Sequence, residues 1–229
     1  ILYFCFWFVC VLWGGFWFCF FFFFVFFFLF FCVFFFFGLL LLGVFAHADF
    51  LFQEKYYSEH TNHGLEQARV LLLLSVVYKK SFYSVEWKSK SIDRLNSELT
   101  FSFTDEGVHV ENSPAYHYFV LKIFLMIISD YVDYDLGELT SEFNSIARKA
   151  LNFLTFIIHP DSKLPIIGDT EAIKIGDVFE SYFSKFPEYK NFKYAHSQGR
   201  LGIAPSKNYL LCQRSGYGII RNRWSNSRD

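Results

Sequence analysis

The first 45 residues of this 229-residue chain contain no charged side chain, and the first Asp, Glu, Lys or Arg is Asp49. These residues are Phe, Leu, Ile, Val, Cys, Trp, Tyr and Gly only, and they include 20 of the 34 Phe residues. Such a run exceeds the roughly 20 apolar residues that cross a bilayer and the roughly 7–15-residue core of a secretory signal. We therefore exclude it from the argument about the fold.

Two interpretations of residues 1–46 stay open. The chain has no Met at its first position, and a mixture of Phe, Leu, Val, Cys, Trp and Gly is what T- and G-rich DNA encodes, which favours an artefactual or out-of-frame translation. The alternative is a signal or membrane segment, which Ala46-His47-Ala48 supports because it matches the A-x-A pattern of a cleavage site. We expect a periplasmic or secreted protein, with a membrane as partner only if residues 1–45 are genuine.

The rest of the chain has a single cysteine and no excess of basic residues. Four of the five Cys residues lie in the apolar segment, so Cys212 alone can form neither a disulfide framework nor a Cys-based zinc site. The 21 basic residues are balanced by 22 acidic ones, which argues against a nucleic-acid partner. The remaining 184 residues (229 minus 45) suit one domain. We expect no metal and no cofactor.

Four segments after residue 60 have helical periodicity. The first, from about Gly64 to Tyr78, is nearly all apolar, and the second, from about Val85 to Phe103, places Ile92, Leu95 and Leu99 on one face. The third begins with Ser113 as N-cap and Pro114 as first residue, and continues through Phe119, Val120, Ile123 and Ile127. The fourth, from about Glu138 to Ile158, aligns Phe143, Ile146, Ala150, Leu154 and Ile157.

Less regular sequence follows. Pro160 ends the fourth helix, and residues 159–170, HPDSKLPIIGDT, are typical of a long ordered loop. A fifth helix is predicted from about Thr170 to Phe183, and two strands, NYLLCQ and YGIIRNRW, are predicted around a turn at Ser215-Gly216. We expect a helical domain over residues 47–200 and the start of a β domain over residues 201–229.

Three polar stretches are predicted to meet at one end of the helices. Short connections make neighbouring helices antiparallel, so the first and third helices start at the same end, and the loop after the fourth returns there. TNHG (61–64) begins the first helix and SPAYH (113–117) begins the third. Helix N-termini have partial positive charge, which suits an anionic ligand.

Residues at the helix starts also have purely structural interpretations. Asn62 can act as an N-cap, His63 can be a solvated first-turn residue, and Asp169 can cap the next helix. Each of these roles needs no ligand.

The rings near the third helix start are equally ambiguous. Tyr116 shares a face with Val120 and Ile123, which is the pattern of a core tyrosine, and His117 lies about 100° further round the helix and can be a surface residue. His109 and Glu111 can be ordinary polar residues of an extended segment.

Taken together, four motifs resemble those of the heparinase II/III-type polysaccharide lyases. These are TNHGLEQARVLLL, FTDEGVHVENSPAYHYFVL, HPDSKLPIIGDTEA and SGYGIIRNRW, and the resemblance covers about residues 52–224. It implies a mainly α fold: an incomplete (α/α) toroid of antiparallel helical hairpins, followed by the first strands of a C-terminal β-sandwich.

The resemblance also implies an activity, the β-elimination of a uronate-containing acidic polysaccharide such as heparan sulfate or alginate. Asn62 and His63 would neutralise the uronate carboxylate, and Tyr116 would protonate the departing glycosidic oxygen and, in syn geometry, first remove the C5 proton. His117, Glu111 and Asp169 would bind substrate.

One departure from the family pattern limits this expectation. Family members use a further His from the β-rich half, and His196, the last His here, has no matching context. We therefore expect an N-terminal part of a lyase that is inactive alone. The alternatives are a non-catalytic acidic-carbohydrate-binding toroid, a protein of this fold acting on a different acidic sugar, and a helical membrane protein; the amphipathic later helices argue against the last.

Overall fold

The computed structural model describes residues 28, 30–131, 134, 136–175, 184 and 186–224. The chain divides into two compact units, Ile1–Gln53 and Glu54–Asp229.

In the first unit, helix α1 covers Phe30–Phe52. Its 23 residues have a mean hydropathy of 2.4, which makes it long and apolar enough to cross a membrane. Large apolar side chains along it are exposed, for example Phe36 at 69% and Leu42 at 68%. Length and composition alone support this property, and a signal sequence would share it.

The second unit begins with a short 3₁₀ turn at Glu54–Tyr56 and a helical hairpin of α2 (Asn62–Val77) and α3 (Ser84–Ser102). The two helices pack against each other. Leu95 and Leu99 of the predicted α3 face are fully buried. Both helices lie within two residues of their predicted bounds, because their apolar periodicity is regular.

A second hairpin consists of α4 (Pro114–Asp130) and α5 (Glu138–Ile157). Ser113 caps α4 and Pro114 is its first residue, as predicted. The face of α4 that packs inward includes Val120, Ile123 and Ile127, whereas Phe119 is 40% exposed. Helices α4 and α5 contribute more residues to the apolar core than the other described elements do.

The segment after α5 is a loop that folds back on itself. Leu164 N–H donates to the Ile173 carbonyl at 2.9 Å, and Lys163 forms a β-bridge with Lys174. Residues 170–175 are therefore not helical, and the predicted fifth helix does not begin at Thr170; its remainder, 176–183, lies outside the described residues. A short helix that the sequence did not predict, α6 (Tyr189–His196), buries Tyr189, Phe192 and Ala195.

Two antiparallel strands follow, β1 (Tyr209–Cys212) and β2 (Tyr217–Ile220). Tyr209 pairs with Ile220 and Cys212 with Tyr217. Gly216 turns the chain between them with a φ of +74°, a backbone conformation that glycine adopts readily. The prediction of two strands joined at Ser215-Gly216 is confirmed.

Candidate active site

The start of α2 presents two polar side chains. Thr61 is the N-cap, and its hydroxyl oxygen accepts a hydrogen bond from Gly64 N–H at 3.1 Å. Asn62 is therefore the first helical residue and is not needed as the cap. Asn62 is half-buried and His63 exposed, and neither side chain has a hydrogen-bond partner among the described residues. Both are free to contact a ligand.

A buried carboxylate lies beneath this turn. Glu98 is 1% exposed, and its Oε1 accepts hydrogen bonds from the Tyr57 hydroxyl at 2.5 Å and from His60 N–H at 2.9 Å. Burial raises the pKa of Glu98, while the hydrogen bonds from Tyr57 and His60 oppose the rise. Burial, together with the hydrogen bond to Glu98, also raises the pKa of Tyr57. Glu98 fixes the segment that leads into α2.

Gly64 has a packing role in the same place. A Cβ at this position would overlap the Ser58 carbonyl oxygen and lie 2.8 Å from Glu98 Oε1. A larger residue would therefore push the first turn of α2 away from α3. The glycine of the TNHG motif keeps Asn62 and His63 in place.

The start of α4 is fixed by the loop that follows α5. Thr170 Oγ1 lies 3.0 Å from Ser113 Oγ and accepts a hydrogen bond from Ala115 N–H, also at 3.0 Å. Asp169, the preceding residue, is exposed, and no helix starts immediately after it that it could cap. Glu111 is also exposed on the approach to α4. The hydrogen bonds of Thr170 to Ser113 and Ala115 attach the 159–170 loop to the helix turn that includes Tyr116.

Tyr116 is half-buried and lies beside a histidine ring. The His109 and Tyr116 rings are stacked, with centroids 6.3 Å apart and planes at 21°. His109 is 4% exposed, and burial lowers its pKa to about 4, so the imidazole is neutral at neutral pH. His109 was not among the predicted site residues, although its place seven residues before Tyr116 was visible in the sequence.

His117, about 100° further round α4, lies in the core between α4 and α5. It is 1% exposed, its Nε2 lies 3.0 Å from the Ala150 carbonyl, and its ring contacts Phe103 and Phe153. Because a carbonyl only accepts, Nε2 bears the proton, and the buried Nδ1 has no hydrogen-bond partner within the described part of the chain. Burial lowers the pKa of His117 to about 3. This geometry packs His117 behind Tyr116, away from the open surface where a substrate contact was predicted.

The end of α3 connects the two helix starts. Glu98 contacts the segment before α2, and five residues later Phe103 forms a β-bridge with His109, whose ring stacks on Tyr116. Five helical residues rise about 7.5 Å. The Asn62 and Tyr116 stretches are therefore both attached to the last turns of α3.

Two of the cavities formed by the described residues lie near these turns. The larger, about 1090 Å³, is lined by the loop after α5, by parts of residues 198–200 and by residues 219–223. The smaller, about 530 Å³, is lined by His60, Asn96, Ser97, Thr100, Phe101 and Glu142. Asn62, His63 and Tyr116 line neither cavity. Within the part of the chain that the structure describes, no cluster of three His, Cys, Asp or Glu residues is arranged to hold a metal ion.

The fold of helical hairpins, with two helix starts attached to the end of α3, agrees with a comparison to known families. The chain matches the family model described as "Heparinase II/III N-terminus" over residues 23–194. The chain belongs to this family. The match begins within the Phe-rich segment and ends before the two strands.

Several relatives are known as heparin-sulfate lyases. The protein from Bacteroides stercoris is 26% identical over 176 residues, which are 73% of this chain and 26% of that protein. The one from Pedobacter heparinus is 26% identical over 182 residues, or 77% of this chain and 27% of that protein. This chain therefore spans about a quarter of the length of these curated relatives.

Solved structures agree on the fold. The crystal structure of the heparan sulfate lyase HepC from Pedobacter heparinus matches 78% of this chain and 28% of its own, with a TM-score of 0.62 and 27% identity. A crystal structure of heparinase III matches 78% of this chain and 29% of its own, with a TM-score of 0.64 and 22% identity. The predicted mainly α fold, an incomplete toroid of antiparallel hairpins followed by strands, is confirmed.

Proposed function

We propose that this chain provides part of the active site of a lyase that cleaves a uronate-containing acidic polysaccharide by β-elimination. The observation that supports this most is that Asn62, His63 and Tyr116 stand at two helix starts attached to the same end of α3. Family membership and relatives named heparin-sulfate lyases favour a polymer such as heparan sulfate.

The first chemical requirement is to neutralise a carboxylate. The C5 proton of a uronate is too weakly acidic to be removed while the neighbouring carboxylate keeps its full charge, so donors must stabilise the enolate that develops. Asn62 offers an amide N–H₂ and His63 a ring N–H, and neither is occupied by another described residue. The partial positive charge of the α2 N-terminus adds to this effect.

The second requirement is proton transfer, which we assign to Tyr116: in syn geometry its phenolate would take the C5 proton, and the resulting phenol would donate that proton to the departing glycosidic oxygen. A phenol donates to a departing oxygen readily, and it acts as a base where neighbouring positive charge favours the phenolate. The neutral His109 ring limits the rotation of the phenol by stacking on it. Tyr116 is thereby held at the start of α4, where the substrate oxygen would reach its hydroxyl.

The remaining assignments concern binding. Glu111 and Asp169 are exposed on either side of the α4 start and would contact sugar hydroxyls, whereas His117 would act on the site through its packing behind Tyr116.

We also propose a periplasmic or secreted location, which the apolar helix α1 and the A-x-A pattern at residues 46–48 support.

The test is the release of a 4,5-unsaturated uronate, followed by ultraviolet absorbance on heparan sulfate, alginate and glucuronan. Because the chain spans about a quarter of its relatives' length, the assay includes both this chain and a longer polypeptide that contains residues 1–229. We expect product from the longer polypeptide on at least one polymer. Binding without product from either would contradict the lyase proposal and favour the non-catalytic carbohydrate-binding alternative.

A further inference from the structure

The larger cavity has a basic and apolar lining. Its described lining includes three arginines, Arg200, Arg221 and Arg223, against one carboxylate, that of Asp161. That carboxylate is already paired with Lys163 Nζ at 3.2 Å. The rest of the lining is mainly apolar, with Phe156, Ile158, Pro160, Pro165 and Ile219 among it. Positive charge beside apolar surface suits a ligand with an anionic group and a less polar face.

Arg221 is a cation with no acidic partner among the described residues. Its Nε and Nη2 donate to the Phe156 carbonyl at 3.3 and 3.1 Å, Nη2 also donates to the Ile158 carbonyl, and the guanidinium lies over the Trp224 ring at 4.4 Å. It forms no ion pair with any described carboxylate. Burial lowers the pKa of Arg221 from its usual value, which reflects a charge removed from water without compensation by an anion.

Arg200 provides a second such charge on the same lining. Its Nε donates to the Ser197 carbonyl at 2.9 Å, and the residue is exposed, with no carboxylate partner in the part of the chain that the structure describes. Guanidinium groups bind carboxylates and sulfates through paired N–H donors. Nη1 of Arg221, and Nη1 and Nη2 of Arg200, thus have no hydrogen-bond partner among the described residues.

The cavity adjoins the start of α4. Ile167 is part of its lining, and the next residue, Gly168, lies against the Asn112 carbonyl and Ser113. On the other side, the Tyr217 hydroxyl donates to the Asn112 carbonyl at 2.8 Å, and Ile219 lines the cavity two residues further on. A linear polymer that passes Tyr116 can therefore continue into this cavity.

We propose that this cavity is a second binding site for the acidic polysaccharide, in which Arg200 and Arg221 bind a sulfate or a uronate carboxylate of sugar units beyond the point of cleavage. This inference rests on the proposed function, because it takes the same polymer as ligand. The volume of about 1090 Å³ is sufficient for a ligand of oligosaccharide size.

The test measures binding of heparan sulfate oligosaccharides to the 229-residue chain by calorimetry, with Arg200→Glu as the variant. Lys80→Glu is the matched control, since it makes the same charge change at an exposed residue that lines neither cavity. We expect Arg200→Glu to weaken binding about tenfold and Lys80→Glu less than about twofold. Equal effects of the two variants, or no binding by the unsubstituted chain, would overturn the proposal.

Two further arms identify the group that is bound. An unsulfated N-acetylheparosan oligosaccharide that binds as well as heparan sulfate indicates the carboxylate, and one that binds at least about tenfold more weakly indicates the sulfate. Inorganic sulfate that competes at the same concentration as the oligosaccharide would show an anion site without sugar recognition and overturn the proposal. Arg200 should also be protected by the oligosaccharide from phenylglyoxal, a measurement that needs no variant.

The failure of this inference is distinguishable from failure of the lyase proposal. Unsaturated product with no effect of Arg200→Glu on binding leaves the lyase proposal standing and removes the second site. Binding that depends on Arg200, with no product from any polypeptide containing residues 1–229, leaves the site standing and removes the lyase activity.

Discussion

The His109 imidazole lies nearly parallel to the Tyr116 phenol ring, with 6.3 Å between the ring centroids and 21° between the planes. His109 is in turn held by the bridge between its backbone and that of Phe103 at the end of α3. The tyrosine proposed as proton donor is thus supported by a buried neutral ring. The stacked arrangement gives His109 a role in positioning the Tyr116 ring.

Replacing the proposed proton donor should separate binding from turnover. In a lyase-active polypeptide, Tyr116→Phe keeps the ring and its stacking on His109 but removes the transferable proton, so we expect turnover to fall about 10²–10⁴-fold with binding preserved. Tyr83→Phe is the control, because Tyr83 precedes α3 and stacks on Trp87 away from α4. Near-normal growth of absorbance in Tyr116→Phe would exclude this role.

Asn62→Ala should have a different kinetic signature. The amide would meet a carboxylate that is charged in the ground state as well as in the transition state, so KM should rise and kcat/KM should fall further than kcat. Steady-state kinetics on the preferred polymer measure both constants. A loss confined to kcat would show that Asn62 acts only after substrate is bound.

Gly64→Ala should destabilise the start of α2. The added Cβ would overlap the Ser58 carbonyl oxygen and crowd Glu98 Oε1, so we expect the free energy of unfolding to fall by about 1–3 kcal/mol in urea denaturation. Gly218→Ala is the matched control, because its Cβ would meet nothing closer than a Leu211 methyl group at 3.9 Å. If both variants unfold at the same urea concentration, the close approach at Gly64 has no energetic consequence.

The two buried histidines should make stability depend on pH. Their pKa values are lowered from 6.5 to about 4 for His109 and about 3 for His117, so between pH 6.5 and about 4 the unfolded chain binds more protons than the folded one. The free energy of unfolding should therefore fall as the pH falls through this window, by up to about 1.4 kcal/mol per pH unit for each histidine.

Urea unfolding at pH 7 and pH 5, with and without His117→Leu, measures this effect. The raised pKa of Glu98 has the opposite effect: just above the usual pKa of a glutamate, it makes the free energy of unfolding rise as the pH falls. This contribution is the same in both proteins and cancels when they are compared. The substituted protein should lose a smaller part of its stability on acidification. An unchanged pH dependence would mean that His117 is not buried as a neutral ring.

Removal of residues 1–45 should leave the helical unit intact. Residues 54–229 form a compact unit with a core of their own, and the removed segment has no charged residue. We expect a folded helical protein with an unchanged melting temperature by circular dichroism. A large fall in melting temperature would show that the Phe-rich segment is part of the domain.

Local chemistry made the helix bounds predictable. Ser113 and Pro114 start α4 because a hydroxyl caps free N–H groups and proline needs no hydrogen-bond donor in the first turn. The missed helix α6 is only eight residues long, which is too short for its apolar spacing to stand out. The predicted fifth helix failed at its start because residues 170–175 bond to the 159–170 loop, a pairing that no local pattern reveals.

By itself, the sequence determined the helical hairpins, the strand pair and the family, since periodicity, capping residues and motif order are local properties of the chain. Only the tertiary structure decided which of two neighbouring rings is fully buried. Tyr116 and His117 are about 100° apart on one helix, and packing of α5 buries the His117 side, with Leu121 and Phe124, and leaves Tyr116 half-buried. Tertiary packing likewise placed His109 beside Tyr116 and Glu98 beside Tyr57 and His60, because contacts between residues distant in sequence depend on how the helices pack.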